Sequence, residues 1–366
     1  MKLDREYFLS HPPIDFQFVQ NSKDFLVEEK SLYDWTGEGE HAILKIRKKG
    51  ISTWEMVSIV AKVLGMNKRD IGYAGLKDKN ALTIQHISLP KKYLENVEKL
   101  NEERSLSVLE TNFHKNKIKL GHLKGNRFFI RLKKVTPTSA KRLEIAIKEI
   151  AKSGIPNFFG FQRFGVEGDN FKLGKEIIDG KSGIRDRNKK RLFVNSYQSM
   201  LFNNWLSERI RLSRLVENFS GKELEIALQS VGFDFDNLEI LKNQEQPFKI
   251  LIGDVMMHYP HGKAFTVTEE NFAETLERFQ NRDIVPSGIL FGKKAMRSEA
   301  DALKIEEKFS EEIKIADGER RYSWIFPEEI ETNYREKDFW FEINFYLPKG
   351  SYATTFLEEL SKTPLV

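Results

Sequence analysis

The chain has 366 residues, 40% of them hydrophobic and 12% aromatic, which is more than one ordinary core requires, so about two domains are expected. Cysteine is absent, which excludes disulfides, thiolate-ligated zinc, iron–sulfur centres and thiol nucleophiles. The 59 basic and 54 acidic residues leave a net charge of +5; no stretch approaches the roughly eighteen apolar residues of a membrane span, MKLDREYFLS holds no apolar run of signal-peptide length, and a cytoplasmic protein is expected.

In chain order, His41 to Arg47 (HAILKIR) has the pattern of a strand. Ser52 and Glu55 (STWE) form a capping box that opens a helix through about Leu64, with Val57, Val60, Ala61 and Leu64 on one face. Ile71 and Tyr73 make a short strand-like piece. In ALTIQHISL the apolar positions are Leu82 and Ile84, then Ile87 and Leu89; this change of parity near Gln85 predicts a bulge. Asp78 therefore sits in a tight loop at a strand end, between Lys77 and Lys79, and two solvated turn lysines would give the same pattern.

Strands are expected at Leu106 to Phe113, Lys117 to Leu120 and Arg127 to Leu132, and a helix from about Thr138 to Lys152 that stops at Gly154. Two loops rich in Gly and Arg, GIPNFFGFQRFGVEGDN and GKSGIRDRNKKR, frame helices near Phe171 to Ile178 and Asn195 to Arg211. A polar-faced helix is expected around Ser298 to Lys314. Phe339, Phe341, Ile343, Phe345 and Leu347 alternate as one strand, followed by PKGSYATT and a short helix to about Ser361. The mixture is of the α+β class: a mixed sheet interrupted by a more helical insertion, to which the chain returns.

Basic residues cluster with aromatics in KNKIKLGHLKGNRFFIRLKK (Lys115 to Lys134), and RDRNKKR adds a second basic segment. Cations for phosphates and flat rings for unstacked bases are what RNA binding uses, although a solvated basic strand has the same composition. Other motifs fail on spacing. Gly180-Lys181-Ser182 lacks the phosphate-loop glycine, because Lys175 stands there and Gly174 misses by one. His258 and His261 have no third ligand close by, so no metal is expected.

Seven segments in order carry a resemblance: KDFLVEE, TGEGEH, YAGLKDKNALTIQ, LKGNRFFI, GIPNFFGFQRFG, RDRNKKR and LPKGSYAT. Together they resemble the TruD family of tRNA pseudouridine synthases over nearly the whole length. The resemblance implies a catalytic domain with a mixed, largely antiparallel pseudouridine-synthase sheet (1–153 and 319–366) and an inserted family-specific α+β domain (154–318). It implies isomerisation of a uridine in tRNA, at position 13 of the D arm in bacterial members, for example in tRNA-Glu, with no cofactor and no obligatory protein partner. A tRNA-folding or RNA-binding protein of the same shape is the alternative.

Residue by residue, Asp78 matches the catalytic aspartate. Asn126 and Phe128 match residues that hold and stack the target base, and Phe25 and Tyr352 match positions lining the uridine pocket. The chain departs from the family pattern at Val19, where lysine is frequent, at Ser22-Lys23-Asp24-Phe25, where P-E-D-F is preferred, and at Tyr352, where phenylalanine is frequent. Lys77 is the favoured cation to keep Asp78 charged. Phe129, the neighbour of Phe128, is expected to face the core instead. Arg185, Arg187, Lys189, Lys190 and Arg191 are expected to grip the RNA backbone.

Overall fold

The computed structural model describes residues 5–234, 238–260 and 262–365. It divides into two compact units: Ile14–Ile145 with Pro327–Gly350, and Met1–Pro13 with Ala146–Phe326 and Ser351–Val366.

The first unit is built on an eight-stranded sheet. Its strands are β1 (Phe25–Ser31), β2 (His41–Lys49), β3 (Gly72–Tyr73), β4 (Leu82–Pro90), β5 (Leu106–His114), β6 (Leu123–Leu132), β7 (Glu328–Arg335) and β8 (Trp340–Pro348). They run in the order β7-β8-β6-β1-β4-β2-β5, with β3 paired to β4. Only β1 and β4 are parallel, so the sheet is mixed and largely antiparallel. The class is α+β.

The helix Thr53–Leu64 forms as its sequence requires. Ser52 accepts from the Glu55 amide, Glu55 returns the bond to the Ser52 amide, and Gly65 ends the helix at φ 65°. Its Met56, Val57, Val60 and Leu64 pack on Leu44, Ile46, Ile87 and Leu89 of the sheet. Such a cap contributes about 1 kcal/mol, while burial of the apolar stripe supplies most of the helix's stability.

Two sequence expectations fail here for a physical reason. β4 has no bulge against β2, because its pairing runs unbroken from His41–Pro90 to Lys49–Leu82. The apparent change of parity arises because the inward positions Thr83 and Gln85 are polar, and both are fully buried. Lys117 to Leu120 is not a strand but a loop, in which Ile118 is buried and its amide donates to Ser88 Oγ.

The second unit packs around a helix of 32 residues, Arg187–Asn218, together with a four-stranded sheet of Val255–His258, Ala264–Thr266, Ile284–Leu290 and Glu319–Tyr322. Its core explains much of the phenylalanine in the composition: Phe158, Phe164, Phe202, Phe248 and Phe291 are buried there with Trp205 and Trp324. Two buried arginines have carboxylates built for them, Arg209 with Asp254 at 2.8 Å and Arg320 with Glu306 at 2.8 Å.

RDRNKKR is not a loop throughout. Asp186 caps the long helix and residues 187–191 form its first turns. The helix expected around Ser298 to Lys314 is limited to Ala300–Glu307. Among the described residues no helix is long and apolar enough to cross a membrane, and no group of three His, Cys, Asp or Glu could hold a metal. His258 ends the strand Val255–His258, and His261 lies outside the described residues.

Candidate active site

Asp78 lies in the loop between β3 and β4, and three side chains from neighbouring elements fix that loop. The Lys77 amide donates to Thr53 Oγ1 (2.9 Å), whose hydroxyl donates to Gln85 Oε1 (3.1 Å). Lys48 Nζ, from β2, donates to Ile51 O (2.7 Å), Asp78 O (3.1 Å) and Lys77 O (3.4 Å). The ammonium of Lys48 is thus buried against three neutral carbonyls, at 1% exposure.

The two lysines beside Asp78 go opposite ways. Lys79 reaches outward to Glu55 at the helix N-terminus (3.1 Å). Lys77 turns inward and pairs with Glu29 of β1 at 2.7 Å, both side chains being buried. The cation expected beside Asp78 therefore spends its ion pair on Glu29. Lys48, which the sequence reading passed over, is the largest charge favouring the ionised form of Asp78, with Lys77 second.

The electrostatics follow from this packing. The protein mass around Asp78 pushes its carboxyl above the ordinary aspartate range, although the side chain stays open to solvent; Lys48, Lys77 and a hydrogen bond from Gln20 offset only part of that rise. Burial lowers Lys48 to about 8, with Asp78 opposing the fall. Burial also pushes Glu29 up, but His86 and Lys77 together outweigh it and hold its carboxyl below the usual range.

Phe25, Phe128 and Phe345 stand in a row across β1, β6 and β8. The register opposes Val27 to Phe128 and Phe128 to Phe345. Ring centroids are 6.2 Å apart for Phe25–Phe128 at 6° between planes, and 5.4 Å for Phe128–Phe345 at 27°. Phe128 and Phe129 do point to opposite sides, but with reversed burial. Phe128 is 6% exposed, whereas Phe129 is half-buried with the Arg131 guanidinium 5.6 Å from its ring centre.

One pair further along the same face, Asn126 stands between Glu29 and Leu347 in the register. Close approach of β6 and β8 requires glycine beside it, since a Cβ on Gly125 would collide with Leu347 O and the Tyr346 ring. Asn126 Oδ1 is buried and has no hydrogen-bond partner; the same holds for Gln85 Nε2 and Thr83 Oγ1. Unsatisfied polar atoms are rare in interiors, and these three share one sheet face with the buried Lys77–Glu29 pair.

Phe25, Lys77, Asp78, Asn126 and Phe128 thus share the sheet unit, while Tyr352 and the five basic residues belong to the other. There the Tyr352 ring lies 6.2 Å from Phe159. Gly160 leaves room for it, because a Cβ would come within 3.1 Å of Tyr352 Cδ1 and 2.9 Å of Thr354 Oγ1. Asp186 accepts from the Asn188 and Lys189 amides at 2.8 and 3.0 Å, which starts the helix at Arg187. Arg187, Lys190 and Arg191 line a cleft of about 640 Å³ with Arg163, Asn195 and Asp317. Among the described residues, none of Arg185, Arg187, Lys189, Lys190 and Arg191 has a carboxylate partner.

The family model described as tRNA pseudouridine synthase D (TruD) matches residues 2–183 and 225–360. The chain belongs to the TruD family. A tRNA pseudouridine synthase D of Nitratiruptor sp. is 49% identical over 359 residues, covering 98% of each chain, and that of Sulfurimonas denitrificans is 48% identical over the full length of both. A relative of the same name from Helicobacter pylori (strain G27) is 46% identical over 96% of this chain and 94% of its own. The fold agrees with a crystal structure from Methanosarcina mazei, described as a TruD, at a TM-score of 0.68 and 21% identity, covering 98% of this chain and 96% of that one. TruD-family membership makes the chain an isomerase of the tRNA pseudouridine synthase class.

Lys48 and Glu29 were legible after the fact. β2 places Ala42, Leu44, Ile46 and Lys48 on one side, and β1 places Phe25, Val27 and Glu29 on one side. A charge that continues an apolar parity is the signal that would have found both.

Proposed function

We propose that the protein converts uridine to pseudouridine in tRNA, at position 13 of the D arm, with Asp78 as the catalytic carboxylate. The observation that carries this reading is Asp78 on a loop pinned by Lys48, in the same unit as an aromatic row and an unpartnered acceptor. In the reaction the N1–C1′ bond breaks and a C5–C1′ bond forms; the C5 proton leaves and N1 gains one, so nothing is lost overall. Asp78 serves either as nucleophile at C1′ or as the base that starts an elimination to a glycal. Its raised pKa strengthens it as a base, while the nearby positive charge of Lys48 opposes that rise and favours the ionised form.

The target must leave the helical stack, and we assign Phe128 and Phe25 to receive it; aromatic stacking is worth about 1–3 kcal/mol per base. Asn126 Oδ1 suits uracil, whose N3–H donates, and disfavours cytosine, whose N3 accepts. Tyr352 is proposed to contact the RNA from its own unit, and the basic helix start at 187–191 to contact backbone phosphates of a tRNA such as tRNA-Glu. The segment 154–318 is proposed as the family's inserted domain.

The test is to incubate the protein with unmodified tRNA, map pseudouridine by mass spectrometry, and repeat with Asp78→Asn. Product at position 13 from the native protein alone is expected. Product elsewhere overturns the position, product from Asp78→Asn overturns the mechanism, and RNA binding without product from either favours a folding or binding role. Because the Asp78 side chain is exposed and the loop is held through its backbone carbonyl, the variant should melt close to the native protein.

A further inference from the structure

The buried and half-buried arginines of the second unit are not treated alike by the fold. Arg209 donates to both oxygens of Asp254, and Arg320 is paired with Glu306. Arg321, the next residue, has no carboxylate partner among the described residues. Its Nη2 donates to Asn157 O (3.1 Å), its Nε is buried without a partner, and its guanidinium sits 3.9 Å over the Phe159 ring. A second guanidinium with no carboxylate partner among the described residues approaches the same ring: Arg163 lies 5.4 Å from the Phe159 centre and, among the described residues, donates through Nε to Ser199 Oγ (3.0 Å). Two like charges around one ring repel each other, and burial drives Arg321 down to about 10. Stacking on Phe159 is a contact that both cations share, and an anion beside them would relieve the repulsion.

Arg163 also lines the cleft that holds Arg187, Lys190 and Arg191. We propose that Arg163 and Arg321 form a phosphodiester subsite that continues this basic cleft towards Tyr352, binding the RNA backbone through the unspent guanidinium N–H groups. Planar guanidinium donors suit phosphate oxygens in a way that a point charge does not. Phe159, whose ring also lies 6.2 Å from that of Tyr352, holds the two cations in place. The subsite rests on the tRNA reading of the protein and adds residues to it.

The experiment measures binding of unmodified tRNA over a range of salt, and KM and kcat for pseudouridine formation, in Arg163→Gln, Arg321→Gln and Arg321→Lys. Each glutamine variant should weaken tRNA binding about tenfold and lower the log–log salt slope by about 0.7 to 1, with kcat at saturation unchanged; lysine at 321 should keep the slope and recover part of the affinity. A native salt slope in Arg163→Gln overturns the subsite. So does an Arg321→Gln variant that melts lower and loses kcat while keeping the slope, since that is the pattern of a structural arginine. Titration with inorganic phosphate separates the sources of the anion: micromolar, Arg321-dependent affinity would mark a free-phosphate site and overturn the RNA assignment. Absence of product with Arg321-dependent tRNA binding intact overturns the isomerase reading alone.

Discussion

Lys48→Met isolates the group that holds the Asp78 loop. In the folded protein Lys48 falls from 10.5 to about 8, and its side chain is buried, so the shift needs no discount for solvent. At roughly 1.36 kcal/mol per pH unit, keeping this ammonium charged costs the fold about 3 kcal/mol. The sign is that of a depressed base: the cost is fully present below about pH 8, where both states carry the proton, and it disappears as pH rises towards 10.5, because the unfolded chain then binds more protons. Stability of the sheet unit should therefore rise, through this group, between about pH 8 and 10.5. Methionine keeps the stem and removes the charge. The lost bonds to Ile51, Lys77 and Asp78 carbonyls offset the two stability curves by a constant, so the diagnostic is the slope. Urea unfolding at intervals from neutral pH to the Lys titration range should show the native curve gaining about 3 kcal/mol on the variant across the window. Parallel curves would refute the reasoning. A functional consequence is read in the same proteins: without Lys48 the Asp78 carboxyl rises further, so the acid limb of kcat for pseudouridine formation should move to higher pH in the variant.

Glu29 and Lys77 should behave as a coupled buried pair: Glu29→Gln or Lys77→Met alone leaves one charge unpaired and should cost about 3–5 kcal/mol in chemical denaturation, and the double variant much less than the sum. Additive single effects would dismiss the pair as a unit. In the other unit, Arg187→Glu with Lys190→Glu should weaken tRNA binding by at least about tenfold and lower the salt slope by about 2, while leaving single-turnover chemistry on bound RNA unchanged. Unchanged affinity would remove these residues from the RNA path.

How much of the molecule was legible depended on whether a signal was local. The capping box at Ser52 and Glu55, the stop at Gly154 and the alternation from Phe341 to Leu347 each lie within a few residues and form as their patterns require, but Phe339, expected to begin that strand, precedes it in a left-handed turn at φ 55°. Asp78, Asn126 and Phe128 were singled out by resemblance, not by pattern, since a lysine-flanked aspartate and a phenylalanine in a strand have ordinary explanations. Lys48 and Glu29 escaped because each is one charge on an otherwise apolar strand face, and only the register of β1, β4 and β2 puts them beside the Asp78 loop. The mistaken bulge in β4 has the same origin. Thr83 and Gln85 occupy inward positions that hydrophobic periodicity reserves for apolar side chains, so the pattern appeared to slip where the sheet had placed polar groups in its interior. A break in periodicity without a break in pairing thus marks polar groups in the interior: these strands leave buried donors and acceptors unsatisfied on the face that carries Asn126 and Phe128, at a cost to the fold.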